Sequence, residues 1–392
     1  MTPLMTRSRP AFHSNLDRRL ISRIRRMLLL WYDGNRRDLP WRRKENDAYA
    51  QWVAEIMLQQ TRVETVKDYY LRFLERFPDV ATLARARRET VLKHWEGLGY
   101  YRRAIHLHEA AKTIHRGGGT VPDSSAALRQ LPGVGAYTAA AIASIAYGEP
   151  VAAVDGNVAR VVARLLEIKD DILTPRGKSH VQSRADRLLP RNRPGDFNQA
   201  WMDLGSLICT PRDPNCARCP LSRCCRAFET GRVGTLPVRG SNRKRKKRVQ
   251  IVVAIFLNDR RMLVSRRPSG GLWSDLWEFP HAERNGSRSV PSTISEIANE
   301  AGAAILSPPR KAGTLKYELT HRSLVFSIYV ACAGPLWNNP CGEREVRPIR
   351  WVDSSTFARL SVSTAHRRIH EIGLRLHPNH SGAARRVAPG SS

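Results

Sequence analysis

The sequence predicts a multidomain protein, an all-α region followed by a smaller α+β domain, and three observations carry this. Its 392 residues exceed the roughly 100–200 expected of one domain. Up to about Ala227 the apolar residues recur at three- and four-residue spacing, whereas beyond Val249 short β-rich runs take over. Between the two, Gly231–Arg248 turns polar and holds six consecutive cations, Arg243–Arg248, which should repel one another and stay extended. The expected division is a helical domain over 1–230, a basic linker over 231–249, an α+β domain over 250–375 and a disordered tail over 376–392.

Leu16, Leu20, Ile21, Ile24, Leu28 and Trp31 fall on one face of a first helix. A second helix is expected from Asp47 through Tyr70, with others over Glu89–Trp95, Arg102–Ile114, Ala136–Tyr147 and Val158–Leu166. Pro78, Gly97, Gly99, Gly117–Gly119, Pro132–Gly135 and Pro150 punctuate them. Downstream, Val249–Leu257, Arg261–Ser265, Leu324–Val330 and Ile349–Val352 read as strands and Ser295–Ala301 as a helix. No internal repeat of fixed period is found.

A hydrophobic content of 42% excludes global disorder. The formal net charge of +30 and pI of about 10.9 point to a polyanion, nucleic acid first, against the alternative of a basic surface with no specific partner. No stretch approaches the roughly 18 apolar residues of a membrane helix. The best N-terminal run, Met27–Trp31, is too short and too deep for a signal-peptide core. The expectation is a soluble intracellular monomer with no membrane partner. It would be cytoplasmic and nucleoid-associated, with a nuclear location left open because the basic run suits either a localisation signal or a DNA-steering segment. Of seven cysteines, Cys209, Cys216, Cys219, Cys224 and Cys225 lie within 17 residues, and Cys332 and Cys341 lie apart. An odd, clustered set argues for metal rather than a disulfide framework.

Four motifs carry chemistry. Leu131-Pro132-Gly133-Val134-Gly135 reads as a tight hairpin between helices; it is either a plain connection or, through the amides that open the next helix, a phosphate site. Asp155 opens a later helix, as a simple N-cap or as something more. Glu55 is followed by Ile56, Met57 and Leu58 with Trp52 one turn back. It is either a surface carboxyl or one desolvated enough to keep its proton as a general acid. Cys209-x6-Cys216-x2-Cys219-x5-Cys225 offers four thiolates, which suit zinc or an iron–sulfur cluster equally by chemistry, although only one close pair is present.

Together these motifs carry a resemblance. The hairpin with Asp155 twenty residues downstream resembles the helix-hairpin-helix superfamily of DNA glycosylases. Glu55-Ile56-Met57-Leu58-Gln59-Gln60-Thr61 with Trp95-Glu96-Gly97-Leu98-Gly99-Tyr100-Tyr101 is similar to the adenine DNA glycosylase (MutY) family. The cysteine spacing resembles that family's [4Fe–4S] loop, with Cys224 as the spare, and Arg267-Pro268-x3-Gly271-Leu272-Trp273-x3-Trp277-Glu278-Phe279-Pro280 resembles its C-terminal Nudix-like module. The implied fold is an all-α helix-hairpin-helix core, its hairpin at about 128–148, followed by a Nudix-like α+β domain.

The resemblance implies hydrolysis of the N-glycosidic bond of adenine opposite 8-oxoguanine or guanine in double-stranded DNA, after the base is flipped out. Glu55 would protonate the adenine and Asp155 would stabilise the sugar cation, with Tyr137 and Asn157 beside it. Trp41, Arg42 and Gln199 would line the adenine pocket, and Gln60 and Tyr100 would enter the stack near the oxidised base. Gly133, Val134 and Gly135 would meet the DNA backbone, and Cys209, Cys216, Cys219 and Cys225 would ligate the [4Fe–4S] cluster. Thr320 and His321, after Leu319, stand where the family reads 8-oxoguanine. Around Ser295-Glu296-Ile297-Ala298-Asn299-Glu300-Ala301-Gly302, Ser and Asn replace two residues of the metal-binding Nudix helix, so recognition is expected there rather than pyrophosphate hydrolysis. Tyr137 stands where glycosylase/lyases carry a Schiff-base lysine, so a monofunctional enzyme is expected over an endonuclease III-like lyase. A non-catalytic iron–sulfur DNA-binding protein would need Glu55 or Asp155 replaced, and neither is.

Overall fold

Apolar helical periodicity and β-rich runs resolve into two packing units in the computed structural model, which describes residues 17–44, 47–240, 246–284, 289–335 and 348–375. The tail, Cys341 and the first part of the basic run lie outside the described residues. The units interleave along the chain: Met1–Gln60 with Arg116–Ser241 form one, and Thr61–His115 with Asn242–Ser392 form the other. A division drawn in chain order, at 230 and 250, does not express this interleaving.

The first unit is helical: Arg18–Asn35, Ala48–Leu58, Ala136–Ala146, Gly156–Leu165, Pro175–Leu188 and Pro194–Leu207. Ile24, Leu28, Val158, Val162, Phe197, Trp201 and Leu204 pack into its main core. Ala48–Leu58 is buried along every residue from Ala48 to Met57, as expected of a helix apolar all round. Pro194–Leu207 approaches the start of Gly156–Leu165 so closely that a Cβ on Gly205 would stand 2.9 Å from Asn157 Cβ, which is why glycine is required there.

The single helix expected over 47–70 is two, Ala48–Leu58 and Val63–Arg76. The break falls at Gln60, whose φ of 62° lies in the left-handed region, a conformation no helix interior accommodates.

In the second unit the helices Val63–Arg76, Val80–Arg85, Arg88–His94 and Arg102–Arg116 accompany a mixed sheet. Its strands are β1 Lys247–Asn258, β2 Arg261–Arg266, β3 Trp277–Glu278, β4 His281–Glu283, β5 Ala303–Ile305, β6 Arg310–Glu318, β7 Arg322–Pro335 and β8 Ile349–Val352. β1 and β7 pair in parallel at the centre, from Lys247↔Arg322 to Leu257↔Cys332. The basic run is therefore linker only in part. Lys247 and Arg248 already belong to β1, and Lys246 is paired with Glu318 at 2.8 Å.

β1 is buried on both faces, the mark of a strand covered by helices on either side. Val290–Glu300 covers one face through Ile294, Ile297 and Ala298, and Ser354–Arg359 with Thr364–Leu374 covers the other through Phe357, Ala365 and Ile369. The helices of 61–115 are tied to this domain by charge. Arg367 Nε donates to Glu96 Oε1 at 2.6 Å, Lys93 Nζ to Ala358 O at 2.7 Å and Arg88 Nη1 to Asp275 Oδ2 at 3.0 Å.

Candidate active site

Glu55 lies near the end of the buried Ala48–Leu58 helix and is 3% exposed. Its Oε1 accepts from Gln51 Nε2 at 2.8 Å, one helical turn back. The Tyr137 hydroxyl stands close by but is directed at Met202 Sδ, 3.6 Å away, and Glu55 Oε2 is left with no hydrogen-bond partner. Burial pushes the carboxyl pKa up to about 7 from the ordinary 4.5. The neighbouring Tyr137 hydroxyl, the hydrogen bond from Gln51 and the Arg42 guanidinium oppose that rise, and the Asp155 carboxylate adds to it. A carboxyl with that pKa is half protonated at neutrality, which suits proton transfer. Burial likewise holds the Tyr137 hydroxyl well above its usual range.

Asp155 is the N-cap of Gly156–Leu165: Oδ1 accepts from Asn157 N at 2.9 Å and Val158 N at 2.7 Å, and Oδ2 from Asn157 Nδ2 at 3.0 Å. The N-cap reading and the functional one are thus compatible, since the cap fixes the carboxylate where the helix dipole favours its charge. Three residues overlooked in the sequence brace the segments around this centre. Asn198 accepts from Ala153 N at 3.0 Å and donates to Val151 O at 2.9 Å, pinning the approach to Asp155. Arg160, buried, donates to Asn157 Oδ1 at 3.0 Å, Gly205 O at 2.7 Å and Cys209 O at 2.8 Å. Asp203, fully buried, holds Arg42 at 2.7 Å and Arg37 at 2.6 Å.

A cavity of about 550 Å³ opens beside this centre, lined by Trp41, Arg42, Gln51 and Gln199 together with Tyr32, Arg36 and Asp196. Three expected pocket residues thus come together there. The hairpin is as expected in shape: Gly133 has φ 76° and Gly135 caps Ala136–Ala146 with no side-chain bond to its first amides. Val134 differs from its glycine neighbours, because its amide is spent on Leu131 O at 3.2 Å and its side chain is buried.

Cys209, Cys216, Cys219 and Cys225 line one small cavity with Arg164, Ile208 and Phe228, whereas Cys224 is turned into the helical core. Among the described residues no three of these sulfurs lie within 4.8 Å of one another. Burial pushes the Cys219 thiol up to about 12 and Cys225 up to about 11, so a thiolate set at this place requires a bound cation. Arg164 Nη1 donates to Cys209 Sγ at 3.4 Å.

In the sheet unit, Thr320 and His321 are exposed at the β6–β7 turn, while Leu319 packs on the core beneath. Thr320 Oγ1 is hydrogen-bonded to the hydroxyl of Tyr100, whose side chain is exposed and whose φ is 47°. Arg103 braces Tyr100 by lying 5.5 Å from its ring centroid and donating to Gly99 O at 3.1 Å. Gln60 is exposed, at the end of the other unit. Glu278, His281 and His366 bring ligand atoms within 4.8 Å, but their hydrogen bonds disfavour a metal. Arg267 Nη1 donates to Glu278 Oε2 at 2.9 Å and to His281 Nε2 at 3.3 Å. His366 Nδ1 accepts from Phe279 N at 3.1 Å, which leaves the proton on Nε2. Arg267 is the cation of this cluster.

Two family models match this chain: the HhH-GPD superfamily base excision DNA repair protein over residues 53–191 and the NUDIX domain over residues 251–371. The adenine DNA glycosylase of Rattus norvegicus is 33% identical, the match covering 92% of this chain and 80% of the relative. That of Homo sapiens is 34% identical, covering 92% and 76%. Among solved structures, a thermostable thymine-DNA glycosylase matches at 30% identity and a TM-score of 0.50, covering 54% of this chain and 98% of the other. With a helical base-excision core, a Nudix-like domain and relatives of this similarity over most of its length, the chain belongs to the adenine DNA glycosylase family, DNA-binding hydrolases of N-glycosyl bonds.

Proposed function

We propose that the chain excises adenine mispaired with 8-oxoguanine, or with guanine, as a monofunctional glycosylase in which Glu55 is the general acid. The observation that carries this is the Glu55 carboxyl itself: buried, held by Gln51 at one oxygen and unpartnered at the other, with a capped Asp155 carboxylate nearby. The flipped adenine enters the cavity of Trp41, Arg42 and Gln199. Glu55 Oε2 passes its proton to N7, and the C1′–N9 bond breaks with its electron pair leaving on the base. The Asp155 carboxylate stabilises the positive charge developing on the sugar. Water then adds at C1′ and its proton returns to solvent. Tyr137 supplies no amine, so no Schiff base forms and the strand is left uncut.

Cys209, Cys216, Cys219 and Cys225 would hold a [4Fe–4S] cluster, which supplies loop structure rather than a step of the reaction. A single C-x2-C pair among the four cysteines favours it, since structural zinc sites usually show two close pairs. Thr320 and His321, with Tyr100 bonded to the first, are the reader of the oxidised base. The test is incubation with duplexes carrying adenine opposite 8-oxoguanine, guanine or cytosine. Release should be fastest from the first and slowest from the last; equal release from all three, or none, overturns the reading. Iron in the same preparation should come to about four atoms per chain, and Cys225→Ser should lose it where Cys224→Ser keeps it. Stoichiometric zinc would overturn the cluster.

A further inference from the structure

Gln51 is the one carboxamide among the residues of a helix otherwise filled with apolar side chains and Glu55, and it is 5% exposed. A buried amide must be spent on a partner, and here the partner is Glu55 Oε1. An amide N–H can only donate, so the oxygen it meets must accept. In a protonated carboxyl the carbonyl oxygen accepts and the hydroxyl oxygen carries the proton. The carbonyl oxygen is the stronger acceptor, so Oε1 takes that role and the proton falls to Oε2, which has no partner in hydrogen-bonding geometry. The reverse orientation of the amide would set its oxygen against Oε1 and consume the proton that the reaction needs.

We propose that Gln51 is a positioning residue for base excision, one that assigns the acidic proton to Glu55 Oε2 and stabilises the carboxylate left when that proton is transferred. This rests on Glu55 being the general acid. The bond from Gln51 strengthens as Glu55 becomes charged, because a donor to an ionised acceptor is worth more than one to a neutral acceptor. It therefore contributes more in the transition state than before it, the condition for raising a rate. The other titratable or charged groups acting on Glu55 are Tyr137 on Ala136–Ala146, Asp155 at the head of Gly156–Leu165, and Arg42 from the turn Pro40–Arg42. All of them survive a change at Gln51.

Gln51→Met keeps length and apolar character and removes the donor. The measurement is the single-turnover rate constant of adenine release against pH, which reads only active molecules, beside duplex affinity. In Gln51→Met the low-pH plateau should fall roughly tenfold. The limb where activity is lost at high pH should move upward by about one pH unit, because a donor to the carboxylate is gone. Affinity for a duplex without a mispair, in which no adenine enters the cavity, should hold. A limb unmoved from wild type overturns the proposal, whatever happens to the plateau, and leaves Gln51 as packing. Glu55→Gln, run alongside, separates the two levels: if it releases adenine normally, the assignment of Glu55 fails, and with it the premise.

Discussion

Glu55 in the helical unit and Glu278 in the sheet unit are each 3% exposed, yet their surroundings differ in kind. Glu278 faces the Arg267 guanidinium at 2.9 Å, a full counter-charge. Glu55 has a neutral amide on one oxygen and nothing on the other, and its pKa rises to about 7. Burial alone does not make an acid; burial without a paired cation does. On the proposed mechanism the first carboxyl is kept for proton transfer, whereas the second is part of a scaffold.

Substitution at Glu55 should part the two sites most sharply. Glu55→Gln fills the same space and cannot give up a proton, so adenine release should fall by roughly 10²–10⁴-fold while duplex binding survives. Near-normal turnover would dissolve the distinction between the two sites.

Stability should separate them by sign. A carboxyl whose pKa is about 7 in the folded chain and near 4.5 unfolded carries no penalty below pH 4.5. The penalty grows as pH rises through 7, reaching about 3 kcal/mol. Glu55→Gln should thus raise the melting temperature at pH 8 and leave it unchanged at pH 4. Glu278→Gln removes the partner of Arg267 and should lower stability at pH 8 by about 2 kcal/mol. Thermal scans of both variants at the two pH values check this, and a common sign at pH 8 would refute it.

Why one site could be read in advance and the other only in part follows from distance along the chain. The Asp155 cap, the hairpin at Gly133 and Gly135, and the four cysteines are local patterns, each set within a few residues. Asn198 acts on Ala153 and Arg42 on Asp203 across 45 and 161 residues, and no spacing rule reaches that far. The helices Pro175–Leu188 and Pro194–Leu207, which complete the centre, went unread. So did the break at Gln60, because neither glycine nor proline marks it. β6 was missed although Leu315 and Tyr317 alternate with Thr314, Lys316 and Glu318, because no residue of it is fully buried and its first half is polar or small. The attachment of 61–115 to the sheet depends on Arg367 meeting Glu96 and Arg88 meeting Asp275, pairs that exist only once the chain is folded.

That attachment makes point substitution a cleaner cut than truncation for the smallest expected effect. Thr320→Ala or His321→Ala, by removing a hydrogen-bonding group from the β6–β7 turn, should leave adenine release from the guanine mispair intact. The preference for 8-oxoguanine over guanine should drop about tenfold, the scale of one base-reading contact. An unchanged ratio in both variants would remove this turn from recognition and leave Tyr100 to be tested next.

On the proposed mechanism a single carboxyl, Glu55, delivers the proton that releases adenine, its pKa raised by burial. The most direct measurement is the wild-type single-turnover rate constant for adenine release from an adenine:8-oxoguanine duplex between pH 5 and 9. A plateau on the acid side, a midpoint near 7 and a fall of about tenfold per pH unit beyond it are expected. A rate that stays level to pH 9, or rises, would contradict that mechanism.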